Sequence, residues 1–459
     1  MPEPVTIEQF YLGCLAHASY MVISCGEAAV IDPQRDVTIY LDAAARNGVA
    51  IQHIIETHLH ADFVSGHVEL AERTGAQIYL GEGSGAAFLH RSVKDGDSLR
   101  FGDCLLDFLQ TPGHTLESIC IVVTDISDAA RPRAVFTGDT LFVGDVGRPD
   151  LSPTHTPAEL AELLYASLHQ KLLRLPENTQ VFPAHGAGSL CGRQMGTERS
   201  STIGKERRSN YALQATTAAD FVHLVTDHLP ARPEYFGREV ELNRRGAAPL
   251  DSLPHPDPLS VDSVRRLQSE GAIVLDTRSV IDFGAAHVPG SVHVALSGQY
   301  ASWAARVLGI DCRVILLAED ADRVRESQVR LARVGMEKVC GYVGNGIAGW
   351  ISAGAEVDYL PQISAQAFGE LQAAEPERAA VLDVRERGER ECASIPGSRW
   401  IPLGELARRA DELDRGKLLV VHCKGGYRSS IACSLLRRAG FRNIANLTGG
   451  FDAWQAMAA

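Results

Sequence analysis

Short apolar runs punctuate the first half of the chain at residues 28–31, 51–55, 78–80, 105–109, 119–123, 134–136 and 180–183. Each is too short for a helix and is flanked by polar or glycine-bearing segments, which is the pattern of buried strands. Apolar positions at helical spacing lie between them at 39–47 and 157–173. Residues 1–245 therefore read as an α/β domain whose polar, histidine-bearing loops follow the strands and gather at one edge of a sheet scaffold. Residues 246–259 carry Pro249, Pro254, Pro256 and Pro258 with little periodicity, and read as a linker.

Beyond the linker the pattern repeats itself. Ile273-Val274-Leu275-Asp276-Thr277-Arg278 answers Ala380-Val381-Leu382-Asp383-Val384-Arg385, and His287-Val288-Pro289-Gly290-Ser291 answers Ser394-Ile395-Pro396-Gly397-Ser398. Residues 313–317 before a helix ending at Gly335 answer 418–422 before one ending at Gly440, and Gly346-Ile347-Ala348-Gly349-Trp350 answers Gly450-Phe451-Asp452-Ala453-Trp454. Two tandem copies of one strand–helix domain are expected, over 260–357 and 358–459.

Composition narrows the class of function. A chain of 459 residues exceeds one ordinary core and calls for two or three domains. The 44 Lys+Arg against 57 Asp+Glu give a net charge of −13, which argues against a nucleic-acid or acidic-membrane footprint and for small-molecule chemistry. No apolar run approaches the ~18 residues needed to span a bilayer, and Met1-Pro2-Glu3-Pro4 lacks the basic start of a leader, so a cytoplasmic protein without membrane contact is expected. The 10 cysteines show no paired spacing, which disfavours a disulfide framework.

Candidate chemistry starts in the loop after residues 51–55, Thr57-His58-Leu59-His60-Ala61-Asp62-Phe63. A His-x-His-x-Asp-His loop can serve two metals. Here Phe63 replaces the final histidine, which removes a ligand of the second site and points to a single metal. Three further strand-end motifs follow: Pro112-Gly113-His114-Thr115, Thr137-Gly138-Asp139-Thr140 and Pro183-Ala184-His185-Gly186. Neutral imidazoles and a carboxylate suit borderline divalent metals, and the set His58, His114 and Asp139 leaves coordination positions open for substrate and oxygen.

With these motifs the chain resembles the metallo-β-lactamase superfamily, and more closely its persulfide dioxygenase branch in the form fused to rhodanese domains, over essentially all 459 residues. The resemblance implies an α/β chain: an N-terminal αββα sandwich followed by two tandem rhodanese α/β domains. It implies one iron(II) per chain, instead of the superfamily's usual zinc, on the residues matching His58, His114 and Asp139. His60, Asp62 and His185 are then expected to orient ligands and bound water. The family's Gly-Arg-x-Asp element matches Arg148 and Asp150, so Arg148 either holds a substrate carboxylate or fixes its loop through Asp150. In the glycine-rich run after His185, Cys191 reads either as an acceptor of sulfane sulfur or as an inert thiol. Lys205-Glu206-Arg207-Arg208 reads as a solvated face or as a contact for an anionic cosubstrate.

In the second repeat, residues 418–421 run into His422-Cys423-Lys424-Gly425-Gly426-Tyr427-Arg428-Ser429 and then a helical pattern. A cysteine in a tight loop at a helix N-terminus faces backbone N–H groups and the helix dipole, and Lys424 and Arg428 add positive charge. The segment resembles the rhodanese active-site loop, in which the cysteine carries sulfur as a persulfide. The matching position of the first repeat is Ala318, with Glu319 and Asp320 beside it, so that repeat is expected to keep the fold and lack the chemistry. The implied function is oxidation of a glutathione- or coenzyme A-type persulfide by O2 to sulfite and free thiol. It is coupled to sulfane-sulfur transfer by Cys423 between persulfide and sulfite or thiosulfate. Relatives commonly form dimers or larger assemblies, so a homo-oligomer is expected. A zinc thioester hydrolase of the glyoxalase II type and a non-catalytic persulfide carrier or sensor stay open.

Overall fold

In a computed structural model of the chain, residues 5–128, 131–227, 229 and 232–458 are described. Residues 1–4, on which the expectation of no leader partly rests, lie outside them. The chain divides into two compact units, Met1–Leu253 with Ala332–Gly335, and Pro254–Leu331 with Met336–Ala459.

Among its described residues the first unit holds twelve strands: β1 (Thr6–Leu12), β2 (His17–Ser24), β3 (Glu27–Ile31), β4 (Ala50–Ile55), β5 (Gln77–Gly81), β6 (Arg91–Val93), β7 (Ser98–Phe101), β8 (Cys104–Gln110), β9 (Ile119–Asp125), β10 (Pro132–Gly138), β11 (Gln180–Pro183) and β12 (Ser201–Thr202). They form two six-stranded sheets, β1-β2-β3-β4-β5-β6 and β12-β11-β10-β9-β8-β7. Alternation decides the layering. Tyr20 and Val22 of β2, Ile31 of β3, Phe108 of β8 and Ile121 and Val123 of β9 meet in one core between the sheets. Met21 and Val30 face outward onto Tyr40 and Ala43 of helix Thr38–Asn47. On the other side Val122, Val135 and Val181 pack against Leu164 and Leu168 of helix Pro157–Gln170. The result is the αββα sandwich. The seven apolar runs of the sequence all fall within strands, whereas the β1–β2 hairpin, paired from Thr6–Ile23 to Leu12–His17, and the short strands β6, β7 and β12 went unread.

The second unit contains two sheets of five parallel-paired strands. In the first, β13 (Pro258–Leu259), β14 (Ile273–Asp276), β15 (Val292–His293), β16 (Val314–Leu317) and β17 (Val339–Val343) run in the order β13-β17-β16-β14-β15. In the second, β18 (Gln362–Ile363), β19 (Ala379–Asp383), β20 (Arg399–Trp400), β21 (Leu418–His422) and β22 (Ile444–Leu447) run in the order β18-β22-β21-β19-β20. The same order twice is the structural counterpart of the internal repeat. The segment read as a linker is more ordered than its prolines suggest. Arg35 Nη2 donates to the Ala248 carbonyl at 2.8 Å, Leu250 N–H donates to Glu69 Oε2 at 2.9 Å, and Pro258–Leu259 is already strand β13. Pro258 is tolerated because β13 is an edge strand, where a missing N–H can face away from the ladder.

Candidate metal centre and sulfur-transfer loop

His58, His114, Asp139 and His185 each follow a strand end, after β4, β8, β10 and β11 respectively, so loops from both sheets converge. All four side chains are buried. The orientation of each donor is set by what its other polar atom does. Thr57 donates its N–H and its hydroxyl to the two oxygens of Asp32, at 2.7 and 2.9 Å, and its Oγ1 lies 3.0 Å from His58 Nδ1. With the hydroxyl proton committed to Asp32, Thr57 Oγ1 accepts from His58 Nδ1–H and leaves Nε2 with its lone pair free. His114 Nδ1–H donates to the Arg148 carbonyl at 3.0 Å and frees its own Nε2 in the same way. Asp139 accepts from His185 Nδ1–H at Oδ1, 2.7 Å, and keeps Oδ2 free.

The three atoms left over, His58 Nε2, His114 Nε2 and Asp139 Oδ2, are buried without a hydrogen-bond partner. They belong to a group whose ligand atoms lie within 4.8 Å of one another. Buried polar atoms without partners are costly, and three that converge make a cation site. Burial, followed by the neighbouring His60 and His114 imidazoles, holds His58 well below the usual histidine range; burial also lowers His114. Both are therefore neutral and ligand-competent, and the residues present fit a divalent metal. Gly147 is required here: a Cβ would stand 1.9 Å from the Asp139 carbonyl and 3.0 Å from His114 Nδ1.

The supporting residues are paired with carboxylates. Burial alone would lower His185, but Asp139 and Asp62 on either side outweigh it and raise it well above the usual range; its Nε2 lies 3.0 Å from Asp62 Oδ2. His60 is likewise raised, to about 10, because Asp32 and Glu56, 3.2 and 3.3 Å from its Nε2, outweigh burial. Phe63 fills the space beside them, its ring centroid 3.9 Å from that of His17 and 4.3 Å from that of His60. His60, Asp62 and His185 also lie close enough to share an ion, and His60 Nε2, Asp62 Oδ1 and His185 Nε2 are buried without hydrogen-bond partners. Arg148 forms a bidentate pair with Asp150 at 2.6 and 2.8 Å and also donates to the Leu190 carbonyl, so its side chain fixes the loop while its backbone orients His114. Cys191 is grouped with Asp139 and His185, and burial, then Asp62 and Asp139, pushes its thiol well up. Lys205 pairs with Glu198, and Arg207 and Arg208 with Glu177.

Asp32, Thr57, Glu56, His17 and Glu239 escaped the sequence reading. Asp32 carries the clearest missed signal: a carboxylate at the end of strand β3, in the left-handed region at φ 49°. Glu239, on helix Phe236–Arg245, is fully buried with both oxygens unpartnered, and burial, then Asp62, raises it well above the usual carboxylate range.

In the second unit, Cys423 stands between β21 and helix Tyr427–Arg438 and is buried. Gly426 N–H donates to its Sγ at 3.1 Å, from a backbone at φ 98° that favours glycine, and Ser429 Oγ donates at 3.5 Å. Its carbonyl accepts from Phe451 N–H at 2.8 Å, which ties the loop to the Gly450–Ala458 helix. Lys424 is exposed, whereas Arg428 is engaged by Glu389. In the first repeat the corresponding position, Ala318, is likewise buried and offers no nucleophile.

A model of the metallo-beta-lactamase superfamily matches residues 12–185, and one of the rhodanese-like domain matches 260–353 and 364–457. The chain is 32% identical over 226 residues to the mitochondrial persulfide dioxygenase ETHE1 of Bos taurus, covering 48% of this chain and 79% of that protein. It is 31% identical over 236 residues to the hydroxyacylglutathione hydrolase of Rhodopseudomonas palustris (strain BisB18), covering 50% and 80% respectively. Among solved structures, a metallo-beta-lactamase from Staphylococcus aureus subsp. aureus COL is 30% identical at a TM-score of 0.68, covering 74% of this chain and 99% of that one. Among the described residues, no helix is long and apolar enough to cross a membrane.

Proposed function

Because the chain belongs to the metallo-β-lactamase superfamily, carries two rhodanese domains behind that fold and is related to persulfide dioxygenases, we propose that it oxidises a low-molecular-weight thiol persulfide and passes sulfane sulfur through Cys423. The observation that carries the first half is the convergence of His58 Nε2, His114 Nε2 and Asp139 Oδ2, each freed by a partner on its other side. Two imidazoles and one carboxylate with open positions are the donor set of non-haem iron(II) oxygenases. Those three residues would hold one iron(II), and the chemistry such an ion supplies when bound is activation of dioxygen toward the terminal sulfur.

The remaining work falls to the protein. Asp32, Thr57 and the Arg148 carbonyl hold the two imidazoles in their Nε2-free tautomers. His185, between Asp139 and Asp62, holds a proton next to the site, and Phe63 keeps a second ion out. The overall reaction joins the persulfide's terminal sulfur with dioxygen and one water, giving sulfite and the free thiol. At Cys423 a sulfane sulfur is accepted as a persulfide, and its transfer to sulfite gives thiosulfate and regenerates the thiol. Arg148 and Cys191 border the metal centre, Arg148 as the loop's anchor and Cys191 as a protonated neighbour of Asp139.

The second reading, a thioester hydrolase, is favoured by the similarity to a hydroxyacylglutathione hydrolase. Phe63, which stands against His60 where a second site would need a donor, speaks against its two-metal water. Oxygen uptake, sulfite and thiosulfate measured with glutathione and coenzyme A persulfides, in the wild type and in Cys423→Ser, test the proposal. The variant is expected to consume oxygen at the wild-type rate and accumulate sulfite; loss of oxygen uptake in that variant would refute two separable sites.

A further inference from the structure

Arg428 occupies the last position of the Cys423 loop, where a guanidinium would meet an anionic sulfur substrate, yet its terminal nitrogens are already taken. Nη1 and Nη2 donate to Glu389 Oε2 and Oε1 at 2.6 and 2.7 Å, in a pair whose side chains are 17% and 31% exposed. Glu389 is held from behind as well, since its Oε2 accepts from Glu386 N–H at 3.1 Å at the start of helix Arg387–Cys392.

The fold does not require this pair. The first repeat has the same strand order and carries Arg323 at the position matching Arg428, with Ala318 at that of Cys423. There Arg323 pairs with Glu326 of its own helix, and Asp282, which matches Glu389, is hydrogen-bonded by Ser279. The pair across elements thus accompanies the nucleophile and is missing where the nucleophile is missing.

We propose that Glu389 is an internal stand-in for the anionic sulfur substrate: its carboxylate occupies the face of Arg428 that thiosulfate or sulfite takes when it reaches Cys423, so Glu389 sets how strongly the loop selects anions. This rests on the sulfurtransferase reading of Cys423. A guanidinium fork presents two parallel N–H donors that fit a carboxylate and a sulfonate end equally. With thiosulfate, the Cys423 sulfur attacks the outer sulfur, the new S–S bond forms, the bond to the central sulfur breaks, and sulfite leaves with the electron pair. Arg428 released from Glu389 holds the sulfonate end through that exchange. Glu389 touches Arg428 and not the reacting sulfur, so it is a positioning residue.

The test uses full-length wild type, Glu389→Gln, Glu389→Asp and Arg428→Gln. Alkylation of Cys423 by iodoacetate and by iodoacetamide is followed by peptide mass, alongside persulfidation of Cys423 by thiosulfate. The two reagents share one displacement chemistry and differ in charge, so their rate ratio reports the cation at the site and not the reactivity of the sulfur. Glu389→Gln is expected to raise the iodoacetate-to-iodoacetamide ratio about ten-fold and lower the KM for thiosulfate by a similar factor, the worth of one charge-assisted hydrogen bond. Glu389→Asp stays near the wild type, and Arg428→Gln, which leaves Glu389 unmasked, falls below it. An unchanged ratio in folded Glu389→Gln, or the same fall in all three variants, overturns the stand-in role whatever the transferase activity. A wild type whose Cys423 alkylates but takes no sulfur from thiosulfate overturns the sulfurtransferase reading, and with it the substrate assigned to Arg428.

Discussion

Replacing Phe63 by histidine probes what limits the centre to one metal. The ring is 1% exposed and lies against His17 and His60, with its centroid 6.2 Å from that of His185. An imidazole there is smaller and would bury two polar nitrogens in place of the phenyl ring, so Phe63→His forfeits about 2 kcal/mol of burial. For a unit of this size that lowers the melting midpoint by roughly 4–8 °C in the metal-free protein. The same change restores a neutral donor beside Asp62 and His185, and a second ion bound at about 100 times its Kd returns about 2.7 kcal/mol. Metal analysis after zinc loading, with melting curves at both loadings, separates the two effects. The expected result is one ion in the wild type, two in Phe63→His, and a stability deficit that zinc removes. A folded variant that still holds one ion, or a wild type that holds two, would refute Phe63 as the determinant.

Other expectations follow from single contacts. Thr57→Val breaks the chain from His58 to Asp32 and is expected to weaken metal affinity about ten-fold in a chelator competition, with little change in fold. Arg148→Ala removes the Asp150 pair that fixes the loop carrying the His114 acceptor; a similar loss of affinity is expected, partly restored by Arg148→Lys, and unchanged affinity would contradict it. Glu239 has a folded pKa raised above its ordinary 4.5, so its contribution to stability is full below pH 4.5 and is lost as pH rises toward the folded value. Glu239→Gln should therefore melt higher than the wild type at neutral pH, with the gap narrowing toward pH 4.5.

What the sequence disclosed was whatever is written locally. Strand runs such as 51–55 and 119–123, the four strand-end motifs and the tandem repeat are all short-range patterns, and they appear in the structure as strands, converging loops and two sheets of one order. Polar partnerships are decided by packing and leave no local trace. Thr57 finds Asp32 across 25 positions, Arg428 finds Glu389 across 39, and Asn243 donates to the His60 carbonyl across 183. For the same reason the charge of Arg428 could be read from the chain but not the carboxylate that occupies it. Helix Phe236–Arg245, with five charged residues among ten, gave no sign that Glu239 and Asn243 turn inward toward the His60–Asp62 loop.

The central claim is that His58, His114 and Asp139 hold a single iron for oxygen chemistry on a persulfide. The most direct measurement loads the full-length protein with iron(II) under anaerobic conditions, counts bound metal, and then follows oxygen consumption with glutathione persulfide and thioester hydrolysis with an acylglutathione. One iron per chain, oxygen uptake matched mole for mole by sulfite and thiosulfate together, and no thioester cleavage are predicted. Two metal ions held per chain, with thioester hydrolysis and no oxygen uptake, would contradict it.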